Sequence, residues 1–577
     1  PFIPQEQKDL TNEVSKYEIK LLDNIGSLYF SRDSYDSYSL GTGDVYPDAL
    51  GSIAMLFEQP SARGMQQESA NGVLNFQFTV RNQVMCAFGA VEAGYRMKDT
   101  LNDFMKRFVK NSYANAKKQS VKGWVFDGNG SDAISWHFIE MLRHHGLQAY
   151  KLAKNYTQDG YTYKAANSYI VPAEQKHSVL LNSLFDTNKN FVDSLFYDIS
   201  TWNLAEAYGL KYSNVKSTAG LIGDLANGVQ SDGSVTEMTP FPKGGIIGGK
   251  STMAYIFDNR EFYVPYVVNG LQQKGIRVMV ARLGAKAEGS DIQHGAGSYI
   301  VPVANQDVDA DTIYNTLLKL ATEAGVMVES VSSSRMSDYD LGHYTNKVLR
   351  KPEVAILGNA GVPWYILNYR MQMTPTLLDA SGTADLSRYN VLIMTGGVSN
   401  KAMQDRIAEW VRAGGTLITI GGGYRSANDM GLTDIKVKDM ERAPSDKYVN
   451  FADRADYNST FSIPGTDLLV QMDYSHPLCW GYDSPMPVIK QSTVVFEMPR
   501  DVNSAPAWYD KSDPLLSGFL RPAHKESLKG APEVICTRAG SGVVISFADD
   551  INFRSTWLGG TRMFMNAIFF GNLTTGR

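Results

Sequence analysis

At 577 residues, 43% of them hydrophobic and 20% charged, the chain has the balance of a globular protein of about three to four domains. Its net charge of −5 supplies no basic stripe for nucleic acid, and no apolar run approaches the ~20 residues that span a bilayer. The three cysteines, Cys86, Cys479 and Cys536, are too few and too scattered for a disulfide framework or a four-ligand zinc knuckle.

The chain opens PFIPQEQKDL, with neither an initiator methionine nor the charged-then-apolar layout of a signal peptide. Such a start is expected of a processed form or of a portion of something longer. KDLTNEVSKYEIKLLDNIGSLYF follows as a helix-like stretch. Then comes YSLGTGDVYPDALGSIAMLFEQPSARG, Tyr38 to Gly64, with a tyrosine in a glycine-rich loop and an apolar run, SIAMLF. That run is expected to form a strand ending at Glu58. A carboxylate at the C-terminal end of a buried strand is a usual position for a general acid or base in an α/β enzyme.

Two distant segments resemble each other. WVFD (Trp124 to Asp127), a helix-like stretch closed by Gly146, LQAYKLA and SYIVP (Ser168 to Pro172) form the first. YIFD (Tyr255 to Asp258), a helix-like stretch closed by Gly275, IRVMVARL and SYIVP (Ser298 to Pro302) form the second. Asp127 lies 19 residues before Gly146 and Asp258 lies 17 before Gly275, so the gaps nearly agree. Strand, glycine-closed helix, strand is a βαβ unit, and the repeat implies two related α/β lobes.

Between the copies, GGIIGGKS (Gly244 to Ser251) has the spelling of a phosphate-binding P-loop. That loop needs a buried strand before it and a helix after it, whose N-terminal amides hold the phosphates. Here a polar, proline-broken stretch precedes and a strand follows, so the expectation is a glycine-rich linker. His137, Glu140 and His144 share one face of the first repeat's helix, in the manner of zinc ligands. The second copy lacks histidine there, and the expectation is a solvated helix face.

From Lys351 a third α/β pattern begins, with PEVAILG, YNVLIMTGG and TLITIGGG as strands and MQDRIAEWVRAGG as a helix. Apolar strands ending in glycine suggest a parallel sheet covered on both faces. After Asn450 the texture becomes β-rich, and GGTRMFMNAIFFG is expected to form a last helix packed onto this unit.

The VLIMTGG and WVRAGGTLITIGGG stretches resemble class I glutamine amidotransferase-like domains. That family's nucleophilic cysteine would fall in GGGYRSA, which has none, so the resemblance implies a non-catalytic relative. The Tyr38–Gly64 stretch, with LFEQPSARG as its most specific part, resembles the C-terminal part of zinc metallocarboxypeptidases of the carboxypeptidase A-like family. The whole order of units is similar to large bacterial members. That resemblance implies Glu58 as the catalytic general base and Tyr38 as the mobile substrate-binding tyrosine, with Tyr35 and Tyr46 as nearby competitors. It implies zinc in the intact parent and a peptide C-terminus as substrate. No histidine precedes His137, so the family's zinc ligands are missing, no metal is expected in this chain, and no peptidase activity is expected of it alone.

The fold class expected is α/β. Residues 1–117 are the C-terminal part of a carboxypeptidase-like domain, 118–250 and 251–350 are Rossmann-like repeat lobes, and 351–577 is an amidotransferase-like domain with a small β-rich portion. Neither nucleic acid nor a membrane span is expected, and the resemblance implies a periplasmic or extracellular location. The competing expectation is a non-catalytic protein whose lobes bind peptide or glycan.

Overall fold

The computed structural model of the protein describes residues 3–31, 38–192, 194–380 and 383–574. It is a mixed α/β molecule in which, among the described residues, three large sheets and one two-stranded hairpin sheet follow a mostly helical N-terminal unit.

Three long helices build the N-terminal unit: α1 (Gln5–Asn24), α2 (Phe76–Arg96) and α3 (Lys98–Lys118). A hairpin of β1 (Gln66–Ser69) and β2 (Gly72–Asn75) leads into α2, which Asn75 caps by accepting the Phe78 amide at 2.8 Å. Small residues let α1 and α2 approach closely: a Cβ on Gly89 would lie 2.7 Å from the Glu18 Cα. Leu10, Phe104 and Phe108 form a small core of their own.

The first repeat contains β3 (Gly123–Asp127), α4 (Asp132–His144), β4 (Tyr150–Leu152), β5 (Tyr169–Pro172), α5 (Ser178–Leu184), β6 (Lys211–Val215) and β7 (Ile222–Leu225). Its sheet order is β6-β3-β5-β4-β7, and every pairing is antiparallel. The second contains β8 (Gly245–Ile247), β9 (Ala254–Phe257), α6 (Val264–Gln273), β10 (Met279–Ala281), β11 (Ser298–Pro302), α7 (Ala310–Ala324), β12 (Met327–Val331) and β13 (Lys347–Val348). Its order, β8-β12-β9-β11-β10-β13, repeats the first with one added edge strand, β8.

The duplication extends to register. Phe126 pairs with Tyr169 and Phe257 with Tyr299, and the two ring pairs stack at 5.7 and 5.4 Å. The Rossmann-like expectation for these lobes is corrected by the strand order. The SYIVP strand inserts between the two strands of the βαβ unit and runs against both, giving the split βαβ of a ferredoxin-like βαββαβ unit. The lobes meet where Glu261 of the second caps α4 of the first: its carboxylate accepts from Ser131 Oγ at 2.8 Å and from the Asp132 amide at 3.0 Å.

The P-loop spelling dissolves in the same sheet. Gly245–Ile247 is β8, paired parallel with β12, while Lys250 pairs with Asp311 and Ser251 Oγ donates to the Val331 carbonyl at 2.6 Å. The expected linker is thus partly an edge strand, starting ahead of residue 251.

The third unit contains the parallel strands β14 (Val354–Leu357), β15 (Thr376–Leu378), β16 (Val391–Met394), β17 (Thr416–Ile420) and β22 (Gly542–Phe547), with α8 (Lys401–Arg412) joining β16 to β17. Their order, β15-β14-β16-β17-β22, is the 2-1-3-4-5 arrangement of a doubly wound fold. As the β-rich texture suggested, antiparallel strands extend it: β18 (Thr466–Met472), β19 (Met486–Lys490), β20 (Ala507–Tyr509) and β21 (Pro532–Ala539). The last helix, α9 (Thr561–Phe570), is buried along its length and reaches the second lobe, Phe570 lying 5.6 Å from the Tyr299 ring. One apolar core runs from Leu40 through both lobes to Phe570.

Candidate functional site

Side chains from α1 and α2 fix the stretch that bears Glu58. Gln7 Nε2 donates to Asp48 Oδ1 at 3.0 Å and to the Ser52 carbonyl at 2.6 Å. Asp48 Oδ1 also accepts the Ala54 amide at 2.9 Å, and burial holds this carboxyl above its ordinary range. Beyond Glu58's apolar neighbours, Gln83 donates to the Phe57 carbonyl at 3.1 Å, and Asn82 Nδ2 lies 2.9 Å from Ser27 Oγ and 3.0 Å from Gln59 Oε1. The segment is therefore tied on both sides of residue 58. Between the ties Glu58 is exposed, and among the described residues its carboxylate has no hydrogen-bond or ion-pair partner.

SIAMLF is not a strand here, which corrects the expectation. Residues 52–60 carry no regular secondary structure, and among the described residues 53–61 make no backbone–backbone hydrogen bond. A strand is a pairing relation, and nothing described beside this segment offers it a ladder.

Tyr38 is half-buried, and its described ring contacts are with Phe191 at 5.2 Å and Phe196 at 5.4 Å. The aromatic cluster continues from Phe196 to Phe519 of the third unit at 5.2 Å. Tyr35 lies outside the described residues. Tyr46 faces the first lobe, where its hydroxyl meets His145 Nδ1 at 2.8 Å.

Sequence reasoning missed the hollow that follows Glu58 along the chain, lined by Pro60, Ser61, Arg63, Gly64, Gln67 and Leu74 among others. Arg63 is the charged side chain among these described lining residues, and it is exposed. A guanidinium suits a carboxylate by its planar pair of donors. The Pro-Ser-Ala-Arg-Gly run was the available signal, since Gly64 and Met65 both adopt positive φ, 71° and 79°, and turn the chain around the hollow.

Among the described residues no group of three or more His, Cys, Asp or Glu side chains is placed to hold a metal ion. The residues around Glu58 therefore do not fit zinc by themselves. His137 is committed elsewhere: Nε2 meets the Tyr263 hydroxyl at 2.7 Å and Nδ1 meets Glu140 at 3.2 Å. Burial, and then the nearby Arg370 charge, pull its pKa below the ordinary value. This helix face packs on the second lobe, which corrects the expectation of a solvated face; His144 alone of the three is exposed.

In the third unit the turn after β17 is Gly421–Gly423 followed by buried Tyr424, whose ring meets Phe496 at 5.2 Å. Cys479 and Cys536 are buried elsewhere in the unit, and burial pushes both thiols up, Cys536 to about 12. Neither offers a thiolate at neutral pH.

No family model and no curated relative matches the chain. Among solved structures it is similar to PurLQS from Thermotoga maritima, at 15% identity and a TM-score of 0.26, over 38% of this chain and 97% of that one. A ThuA-like protein from Bacteroides uniformis matches at 13% identity and a TM-score of 0.25, over 37% of this chain and 89% of that one. A β-galactosidase from Bacillus circulans sp. alkalophilus matches at 12% identity and a TM-score of 0.21, over 49% of this chain and 38% of its own length. Likenesses at these scores carry no argument about this chain, whose fold and site rest on the geometry above.

Proposed function

We propose that the protein is the C-terminal portion of a zinc-dependent metallocarboxypeptidase-like protein, in which Glu58 acts as general base on the water that attacks a C-terminal peptide bond. One observation supports this: a partnerless carboxylate is displayed to solvent on a segment held from both sides by Gln7, Asp48, Asn82 and Gln83. An ordinary surface glutamate needs no such scaffold, whereas a proton acceptor must be held in place. Arg63 at the adjoining hollow is suited to a peptide's terminal carboxylate. Tyr38 enters the reading only if it leaves its Phe191–Phe196 cluster.

In this reading the chain is inactive alone, since its described residues offer no donor set for zinc. Release of C-terminal residues from model peptides is assayed with and without added zinc. The 577-residue chain releases none, and the chain joined to its missing donors releases them in a zinc- and Glu58-dependent manner. Full activity of a Glu58→Gln variant of the joined protein overturns the proposal.

A further inference from the structure

Where the two lobes meet the third unit, a polar chain gathers side chains from all three. The short helix Gly361–Trp364 of the third unit runs on as Tyr365–Arg370, wound with the i→i+5 bonding of a π-helix. The Met371 amide continues that pattern, donating to the Ile366 carbonyl at 3.0 Å. Such turns are rare and recur at functional sites. Their wide winding brings the residues four and five beyond Tyr365 back beside it. Tyr369 stacks on the Tyr365 ring at 4.9 Å, and the Arg370 guanidinium carbon lies 5.5 Å from that ring's centre. Phe262 of the second lobe flanks the same guanidinium at 5.9 Å.

Most of the Arg370 donors are unspent. A guanidinium carries five N–H groups. Among the described residues Arg370 forms no ion pair, and its Nε is buried with no hydrogen-bond partner. The polar atom it does face is the Tyr263 hydroxyl, which lies 2.7 Å from His137 Nε2, while His137 Nδ1 lies 3.2 Å from Glu140 Oε2. Burial, and then the Arg370 charge, keep the imidazole neutral. Its single proton therefore sits on Nδ1 and is donated to the Glu140 carboxylate, and Nε2 accepts the phenol proton. The phenol oxygen is left as an acceptor for one guanidinium N–H. Glu140, the carboxylate that could answer Arg370, is thus held at the far end of the chain. A half-buried cation flanked by two rings and one phenol oxygen still lacks a counter-charge. Beside it the Tyr369 ring is 63% exposed.

We propose that Arg370 anchors a binding site for a ring-bearing oxyanion, a carboxylate or phosphate whose ring lies on Tyr369. The planar fork of arginine matches two oxygens of one such group, which a lysine ammonium does not. The Glu140–His137–Tyr263 chain holds the guanidinium in place from behind. The site uses no residue of the Glu58 segment, so the peptidase reading and this one fail separately.

The test titrates the 577-residue chain calorimetrically with benzoate and phenyl phosphate, and with acetate and inorganic phosphate as their ring-free counterparts. One ring-bearing probe binds with a Kd of about 1 mM or tighter, and the tighter of the two identifies the charged group. It binds at least threefold tighter than its ring-free counterpart, an advantage that Tyr369→Ala removes. Arg370→Lys keeps the charge but weakens binding at least tenfold, with the parent's circular dichroism retained. A readout on the parent itself does not depend on that variant folding. With the probe at ten times its Kd, modification of Arg370 by phenylglyoxal slows about tenfold, while that of the exposed Arg500 is unchanged. The proposal is overturned if neither ring-bearing probe binds, if Arg370→Lys binds as the parent does, or if the ring adds nothing. Modification of Arg370 at the same rate with and without the probe overturns it as well.

Discussion

The N-terminal unit and the third unit invert one another. In the first, six large apolar side chains of α2 stand in water. In the third, a lysine, two carboxylates and a phenol are buried together. Lys490 Nζ donates to Asp549 Oδ1 at 2.9 Å and to the Val494 carbonyl at 2.7 Å. The Tyr509 hydroxyl oxygen lies 2.6 Å from both Glu533 Oε2 and Asp549 Oδ2. One phenol proton serves one of those contacts, so Glu533 holds the second proton as a neutral acid and donates to the phenol oxygen. Burial, and then the Asp549 charge, push Glu533 well above the usual carboxyl range, in keeping with that count. A unit that can satisfy four buried polar groups has a finished interior, and one that leaves an apolar stripe in water does not. The difference locates where the described surface of this molecule leaves apolar side chains uncovered.

The largest effect that would break the comparison comes from Lys490→Met. It leaves Asp549 buried without its cation, and the expected loss is about 3–5 kcal/mol of stability, read as a lowered denaturant midpoint of the 577-residue chain. A loss below ~1 kcal/mol shows that water reaches the network and that the third unit's interior is not closed.

Glu261 comes next, because it ties the two lobes that stand between these units. Burial raises its pKa to about 7, while Ser131, the Asp132 amide, the Asp132 carboxylate and the more distant Arg562 charge face it. A raised folded pKa contributes stability that is whole below the unfolded value of about 4.3 and is lost as pH climbs to about 7. Thermal midpoints of the parent should therefore fall across that window relative to Glu261→Gln, which keeps an acceptor for the Asp132 amide. Parallel curves show that Glu261 titrates as a free surface acid. Smaller again is Glu533→Gln, an amide in place of a neutral acid, for which a change within ~1 kcal/mol is expected. A cost as large as that of Lys490→Met overturns the proton count.

Legibility in the sequence followed what each element needs to exist. The third unit's parallel strands were readable because VAIL, VLIM and TLITI are apolar on both faces, as a doubly covered sheet demands. The duplication was readable from Asp127, Asp258 and the two SYIVP runs, since nearly equal spacing survives in a linear text. Strand order was not, because the text shows which segment follows another and not which lies beside it; SYIVP follows its βαβ unit and sits inside it. SIAMLF has strand composition without a ladder partner, so composition misled. Glu58 was legible as a candidate, but the ties from Gln7 and Gln83 reach it from 45 residues before Ser52 and 26 beyond Phe57, which no local pattern contains.

The smallest effect is the most direct check on the comparison. If the outer face of α2 is bare in the free chain, Val91 and Tyr95 contribute little to its folding, because they are nearly as wet folded as unfolded. Val91→Ser with Tyr95→Ser is then expected to shift stability by no more than ~0.5 kcal/mol, the scale of ordinary surface changes. The same pair placed inside a finished core would remove several kcal/mol of burial. Binding of a hydrophobic dye to the free chain should fall in step with the substitutions. A large destabilisation means that the stripe is already covered in solution, which moves the N-terminal unit into the same class as the third.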